Sequence, residues 1–279
     1  MKELKIALVA PSGPCSEDIV LKGKAFLEKS GAQVRVMPHI FSRNSLAHLS
    51  ASDELRAADI NAALADEDIN MLWAVRGGCG ALRILDRINW ELFQERQLIF
   101  AGFSDITAIH YAMAKKKINS YLAAPMMKFL GGSPVPLTEK SLFEALKEAP
   151  IEVKLEAFNA GVVDKATPLA GNITVACALC GTEYFPDMTE KLLILEEVGE
   201  APYRIERSLT QLRLAGAFAK CAGVVFGSFT SCGEKEELEA VLKDFASSVN
   251  CPVFYGLPHG HEEPFVSISG RQKVSVQSI

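Results

Sequence analysis

The first half of the chain alternates short apolar runs with longer stretches in which apolar residues recur at helical spacing. This alternation predicts parallel strands joined by helical crossovers, because each helix then covers a face of the sheet. The predicted strands are KIALVA, AQVRVM, MLWAVR and LIFAGF, and two of the predicted helices are SEDIVLKGKAFLEKSG and SDELRAADINAALADEDI. We therefore expect a layered α/β domain built on a parallel sheet.

Glycines and prolines interrupt this pattern in the stretch FLGGSPVPLTEK, which predicts a domain boundary. We expect a Rossmann- or flavodoxin-like α/β domain over residues 1–130, a linker over residues 131–166 and a smaller, mixed α/β domain over residues 167–279. The elements predicted for this last domain are strand KLLILEEV, helix PYRIERSLTQLRLAGAF, strand AGVVFGSF, an amphipathic helix carrying Leu238, Val241, Leu242, Phe245 and Val249, and strand PVFYGL.

Composition narrows the class of protein. With 279 residues and 49% hydrophobic content, the chain is long enough for two cores, and it has no apolar run long enough to span a bilayer. A formal net charge of −5 with interspersed signs argues against a nucleic-acid or anionic-membrane surface. The amino terminus, MKELKIALVAPSGP, lacks a secretory signal pattern, so we expect a cytoplasmic protein.

Cysteine usage predicts neither disulfides nor a metal. Seven irregularly spaced cysteines do not make a disulfide framework in a chain of this size. Cys177 and Cys180 have the spacing of a zinc or redox pair, but a second pair is absent. We expect both to be small apolar side chains on one face of a helix in NITVACALCGTE.

Ser104 lies where a predicted strand turns into a predicted helix, in the stretch LIFAGFSDITAIHYAMA. A side chain at such a corner lies beside the free N–H groups of the helix start, which is where a nucleophile can be placed. The simpler interpretation is a serine that caps the helix, and local sequence alone favours it. The elbow pattern G-x-S-x-G is half met, with Gly102 present and Ile106 in place of the second glycine.

Chemically useful residues follow three more predicted strands. Arg76-Gly77-Gly78-Cys79-Gly80 follows MLWAV, Glu196 and Glu197 end KLLILEE, and Pro258-His259-Gly260-His261 follows PVFYGL. Ligands of open α/β sheets bind at the carboxyl ends of strands. Serine, glutamate and histidine in these places suit acyl transfer, because an imidazole oriented by a carboxylate can activate a hydroxyl. Taken singly, each has a simpler explanation as a turn, a solvated carboxylate or a surface histidine.

The chain resembles the LD-carboxypeptidases, also called murein tetrapeptide carboxypeptidases. The matching stretches are VAPSGP, AVRGGCG, AGFSDITAIH, LEEVGEAPYRIERSLTQL and GLPHGH, in the family's order across nearly the whole chain. The resemblance implies a catalytic triad of Ser104, Glu196 and His261, and an oxyanion hole formed by the backbone N–H groups of Asp105 and a glycine of the RGG turn, for which we choose Gly78. His259 is expected to line the cleft or to face solvent.

The resemblance also implies a function. A chain of this family hydrolyses the bond between meso-diaminopimelate and the terminal D-alanine of a cytoplasmic murein tetrapeptide, in cell-wall recycling. It needs neither cofactor nor metal. The expected partner is this small peptide, with no nucleic acid and no membrane, and we expect a homodimer.

Two alternatives stay open. The chain also resembles the microcin C immunity peptidases, which use the same triad on a peptidyl or aminoacyl nucleotide. The other alternative is a non-catalytic α/β binding protein in which Ser104 is only a cap. Departures from the family pattern bear on the substrate: Cys79 replaces an aromatic residue, Ala123-Ala124-Pro125 replaces His-Gly-Pro, and Ser228 replaces an acid.

Overall fold

The computed structural model describes residues 3–159 and 161–279, which divide into two compact units, Met1–Glu139 and Lys140–Ile279. Each unit has its own hydrophobic core. Within the described residues, no helix combines the length and apolar character needed to cross a membrane.

The first unit alternates strands and helices, as the hydrophobic pattern predicts. Its elements in chain order are β1 Lys5–Val9, α1 Glu17–Lys29, β2 Gln33–Val36, α2 Asp53–Ala65, β3 Met71–Ala74, α3 Trp90–Arg96, β4 Ile99–Gly102, α4 Thr107–Lys115, β5 Tyr121–Ala123 and α5 Met127–Gly131. Two 3₁₀ helices, Ala81–Arg87 and Ser104–Ile106, follow β3 and β4. Helix α6, Pro136–Leu146, crosses the boundary between the units.

The strands of the first unit form a parallel sheet in the order β5-β4-β3-β1-β2. Its central strand, β3, is buried at every position, which is typical of a parallel sheet covered on both faces. The four strands predicted in the first half of the chain are present, and the α/β prediction is confirmed. The carboxyl ends of β3 and β4, two neighbours in the sheet, carry the RGGCG turn and Ser104.

The second unit is a closed six-stranded barrel with helices. Its elements are β6 Ile151–Asn159, β7 Val162–Asn172, α7 Ile173–Ala178, β8 Lys191–Val198, α8 Pro202–Leu214, β9 Gly223–Thr230, α9 Lys235–Ser247, β10 Val253–Tyr255, β11 Ile268–Ser269 and β12 Val274–Ser278. The barrel order is β10-β6-β12-β7-β8-β9. Strands β7, β8 and β9 are parallel to one another, as are β9 and β10.

The segment predicted as a linker, residues 131–166, contains all of α6, all of β6 and the start of β7. The glycines and prolines at its beginning do mark turns, but the stretch IEVKLEAFN alternates apolar and charged residues, which is the pattern of a strand with one solvated face. The second unit begins at Lys140 and is nearly equal in length to the first. The predicted helix around Cys177 is shorter than its pattern, because α7 ends at Ala178.

Candidate active site

Ser104 occupies a sharp turn between β4 and α4. It is the first residue of the 3₁₀ helix and has a φ of +65°, a left-handed conformation that is uncommon for a residue with a Cβ. A Cβ at Gly102 would lie 2.6 Å from Cγ2 of Ile106, so the turn needs a glycine before the serine. The capping positions belong to Phe103 for the 3₁₀ helix and Ile106 for α4. Ser104 therefore occupies neither capping position, and its left-handed φ is a feature that strained strand-to-helix turns can have.

The RGG turn packs directly against this corner. A Cβ at Gly77 would lie 2.7 Å from the Cβ of Ser104, closer than real Cβ atoms approach, and 3.0 Å from the backbone nitrogen of Asp105. The next residue, Gly78, has a φ of +115°, which favours glycine. The backbone of the turn can therefore approach the elbow only because no side chain stands between them.

The side chain of Asp105 ties three segments together. Its Oδ2 accepts hydrogen bonds from Oγ of Ser12, at 2.5 Å, and from the backbone nitrogen of Ala81, at 2.8 Å. Burial raises the pKa of this carboxyl, while those two donors and the charge of Arg56 lower it. The residue whose N–H is predicted to bind the oxyanion is thus fixed from its other side by a buried network.

A second buried group, Arg56 of α2, holds the same loops. Its guanidinium donates to the carbonyl oxygens of Pro11 and Gly80, the latter at 2.9 Å, and pairs with Asp53. It is 2% exposed. Sequence reasoning missed both Arg56 and the side chain of Asp105, since an arginine in an amphipathic helix gives no sign that it is buried.

In the second unit, Glu196 and His261 form a hydrogen-bonded pair. Nδ1 of His261 lies 2.8 Å from Oε2 of Glu196. The glutamate is fully buried and the imidazole is 12% exposed. Burial raises the pKa of the Glu196 carboxyl, and the contact with His261 opposes this rise. A carboxylate on Nδ1 fixes the tautomer that leaves Nε2 as the basic nitrogen.

Glu197 points away from this pair, as alternation along a strand requires. Its carboxylate accepts from Nδ2 of Asn172 at 2.6 Å, and from the backbone nitrogen and Oγ1 of Thr174 at 2.9 and 2.8 Å. It is 2% exposed, so the interpretation of the paired glutamates as solvated carboxylates is wrong. Glu197 instead joins the start of α7 to the end of β8.

His259 is fully buried, and this corrects the expectation that it lines a cleft or faces solvent. Its Nδ1 donates to the carbonyl oxygen of Val266 at 2.7 Å, and its ring packs on Phe265. Burial lowers its pKa to about 4, with a smaller lowering from the neighbouring His261 and an opposing effect of the Val266 carbonyl. The imidazole is therefore neutral at physiological pH and serves as a core side chain beneath the His261 loop.

Strand β9 supports the same loop through close backbone contact. The backbone nitrogen of Ser228 donates to the carbonyl oxygen of His259 at 2.9 Å. A Cβ at Gly227 would collide with that carbonyl, and a Cβ at Gly260 would lie 2.5 Å from the Cβ of Ser228. Ser228, where the family commonly has an acid, thus contacts the residue that precedes His261.

His259 makes the stability of the chain sensitive to acid. Since its folded pKa of about 4 lies below the ordinary value of 6.5, the unfolded chain takes up a proton between these values and the folded chain does not. Neutral His259 therefore contributes roughly 3 kcal/mol to the free energy of unfolding, at 1.36 kcal/mol per pKa unit. This contribution is complete above about pH 6.5 and is lost as the pH falls toward 4. Urea unfolding at pH 7 and pH 5 measures this loss. Between the two pH values, the free energy of unfolding should decline less for His259→Gln than for the unchanged chain. The exposed His48 provides the control: if His48→Gln reduces the decline equally, His259 is not its source.

The cysteines behave as small side chains. Cys177 is buried in α7, Cys180 is half-buried just beyond it, and burial raises the pKa of both thiols, that of Cys180 to about 11. In the part of the chain that the structure describes, no three histidine, cysteine or carboxylate side chains are arranged to hold a metal ion.

Two family models match the chain in sequence. The LD-carboxypeptidase N-terminal domain matches residues 6–123, and the LD-carboxypeptidase C-terminal domain matches residues 165–276. The chain therefore belongs to the LD-carboxypeptidase family, peptidase family S66, and is a serine-type carboxypeptidase that acts on peptides.

Similar proteins agree with this assignment. A Streptomyces coelicolor protein with a provisional carboxypeptidase name is 32% identical over 95% of this chain and 87% of its own length. The crystal structure of muramoyltetrapeptide carboxypeptidase from Oxalobacter formigenes has 27% identity and a TM-score of 0.84, over 95% of this chain and 92% of that one. The microcin C7 self-immunity protein also has a TM-score of 0.84, at 19% identity, over 98% of this chain and 92% of its own. This last likeness shows a shared fold.

Proposed function

We propose that the chain hydrolyses the terminal L,D-peptide bond of a cytoplasmic murein tetrapeptide and releases D-alanine, as a step of cell-wall recycling. The observation that carries the proposal is the 2.8 Å contact between His261 and the buried Glu196, because an imidazole held in this way is a competent general base. Similarity to the muramoyltetrapeptide carboxypeptidase of Oxalobacter formigenes supports the choice of substrate.

The proposed reaction has two halves. Oγ of Ser104 attacks the carbonyl carbon of the terminal peptide bond while Nε2 of His261 takes the hydroxyl proton. The tetrahedral oxyanion accepts hydrogen bonds from the N–H groups of Gly78 and Asp105. On collapse the C–N bond breaks, and His261 gives its proton to the leaving amine of D-alanine. Water then attacks the acyl-enzyme ester with the same imidazole as base, which frees the tripeptide and restores the serine.

Mass spectrometry of murein tetrapeptide before and after incubation tests the substrate. We expect the tetrapeptide to be shortened to a tripeptide with release of free D-alanine. Ser104→Ala is the inactive control. Hydrolysis of an aminoacyl-sulfamoyl adenosine with no action on the tetrapeptide would replace the proposal by an immunity-type function. A chain that cleaves neither and takes up no fluorophosphonate would be a binding protein.

Gly77→Ala tests the predicted oxyanion hole. The added methyl group must displace the elbow or the RGG turn, and a misplacement of about 1 Å typically costs about a hundredfold in rate. We expect kcat to fall on that scale while circular dichroism stays unchanged. The matched control is Gly181→Ala, because nothing lies within 4 Å of a Cβ added there. Alanine is strained at the φ of +82°, so this control should lose stability but keep its kcat. Full activity of Gly77→Ala would separate the turn from catalysis.

Glu196→Gln and Glu197→Gln distinguish the two adjacent carboxylates. An amide beside Nδ1 favours the wrong imidazole tautomer, so we expect Glu196→Gln to lower kcat by about a thousandfold or more. Glu197→Gln should leave kcat within about tenfold and instead lower the free energy of unfolding by about 1–3 kcal/mol, because its donors lose a carboxylate. The reverse ranking in kcat would move the assignment to Glu197.

A homodimer is also part of the proposal. Light scattering after size-exclusion chromatography measures the molar mass directly. A mass of one chain across the working concentration range would remove the dimer without touching the catalytic scheme.

A further inference from the structure

A basic cavity lies at the end of the barrel away from the Glu196–His261 pair. It has a volume of about 440 Å³, and its charged lining residues are Lys165, Lys191, Lys220, Lys273, Asp164 and Glu190. Lys191 begins β8 and Glu196 is five residues further along the strand, which corresponds to roughly 16 Å at about 3.3 Å per residue. The cavity is therefore separate from the catalytic residues of the second unit.

The charges around the basic cavity are not balanced. Four ammonium groups and two carboxylates leave a formal excess of two positive charges. Among residues 3–159 and 161–279, none of the four ammonium groups has a carboxylate oxygen within 4.0 Å. Ion pairs within the protein thus do not account for the gathering of lysines.

Two contacts show where the polar groups are directed instead. Nζ of Lys273 donates to Oγ1 of Thr167 at 2.9 Å, which holds its ammonium group at the cavity wall. The carboxylate of Asp164 accepts from Oγ of Ser275 at 3.1 Å rather than from a lysine. The ammonium group of Lys273 is thus positioned by a neutral hydroxyl, and its charge remains available to a ligand.

Lys191 is the most confined of the four cations. It is half-buried, and its pKa is lowered by burial and then by repulsion from Lys273, with Asp187 acting in the opposite direction. Repulsion between two cations in a partly desolvated place is unfavourable for the empty protein. An anion bound between them would remove this cost.

We propose that the basic cavity binds a small, multiply charged phosphate compound, of the size of a diphosphate. The volume lies in the usual range for small-molecule sites and exceeds what a single orthophosphate fills. Ammonium groups are point charges suited to phosphate oxygens, and several of them around one site favour a multivalent anion. The basic cavity is distinct from the proposed catalytic residues, and its ligand is independent of the proposed peptide substrate.

Isothermal titration with inorganic pyrophosphate at constant ionic strength tests this site. We expect saturable binding of one pyrophosphate per chain, weakened at least about tenfold in the double variant Lys191→Gln/Lys273→Gln, because two charged hydrogen-bond donors to the anion are removed. The matched control is Lys154→Gln/Lys235→Gln, which removes two exposed lysines of the same unit outside the cavity. Equal weakening in the control, or no saturation at millimolar pyrophosphate, would overturn the proposal.

Orthophosphate and ADP, titrated in parallel, identify the source of the phosphate groups. Tighter binding of ADP than of pyrophosphate would assign the cavity to an organic diphosphate, and the opposite order would assign it to an inorganic one. Binding of orthophosphate as tight as that of pyrophosphate would contradict a diphosphate-sized site.

Thermal unfolding separates a ligand site from a structural role of the lysines. If the cavity is a ligand site, Lys191→Gln/Lys273→Gln should unfold no lower than the unchanged chain without anion, because repulsion is relieved, and should lose the rise in Tm that pyrophosphate gives the unchanged chain. A lower Tm without anion, together with an undiminished rise on adding pyrophosphate, would show that the two lysines are structural.

Discussion

Ser104→Ala should lower kcat for the tetrapeptide by at least about ten-thousandfold while the dissociation constant of the substrate changes little. The hydroxyl forms its decisive bond only in the reaction, so its loss removes transition-state stabilisation and not ground-state binding. Single-turnover kinetics give the rate, and titration with tetrapeptide gives the affinity. Retention of more than about a tenth of kcat would end the serine mechanism, because loss of a triad nucleophile costs orders of magnitude more.

Stability measurements on the same position separate an elbow from a cap. At a φ of +65° alanine is strained as serine is, so Ser104→Ala should change the free energy of unfolding little. Ser104→Gly should be the more stable variant by about 1 kcal/mol, since glycine adopts the left-handed conformation readily. A simple capping serine predicts a different result, a loss of about 1 kcal/mol in Ser104→Ala with activity retained.

The sequence predicted the corner at Ser104 but not its conformation. An apolar run followed by helical spacing locates a turn between β4 and α4, whereas backbone angles leave no such pattern. The missing second glycine of the elbow motif has a packing explanation: Ile106 lies over Gly102, in the space that a Cβ there would need. The departure from the motif therefore does not argue against the elbow.

Sequence patterns could not predict the hydrogen bonds between residues that lie far apart in the sequence. The contact of Ser12 with Asp105 joins residues 93 apart, and that of Arg56 with Pro11 joins residues 45 apart. Periodicity reports which face of an element is apolar, and a buried arginine or aspartate breaks that rule locally. The burial of His259 was missed for a different reason: the proline and glycine beside it predict a turn, and a turn signal does not show whether the side chain between them is buried.

His261→Ala is expected to lower kcat by at least about a thousandfold, the scale of losing a triad base. Its imidazole is the one hydrogen-bonded to Glu196, and nothing else in the proposed scheme can take the serine proton. The free energy of unfolding should change less than in variants of His259, since the His261 ring is partly exposed. Steady-state kinetics and urea unfolding on the same preparation measure both effects.

His259→Gln is the matched comparison, two residues away on the same loop. Glutamine can still donate to the carbonyl oxygen of Val266, so we expect kcat within about tenfold of the unchanged chain and a lower free energy of unfolding, because a ring packed on Phe265 is lost. With a pKa of about 4, His259 stays neutral across the neutral range, so the acid limb of kcat/KM that an imidazole base produces should persist in this variant. If His259→Gln abolishes that limb while His261→Ala keeps both the limb and the rate, the base is His259, and the pair with Glu196 has a structural role only.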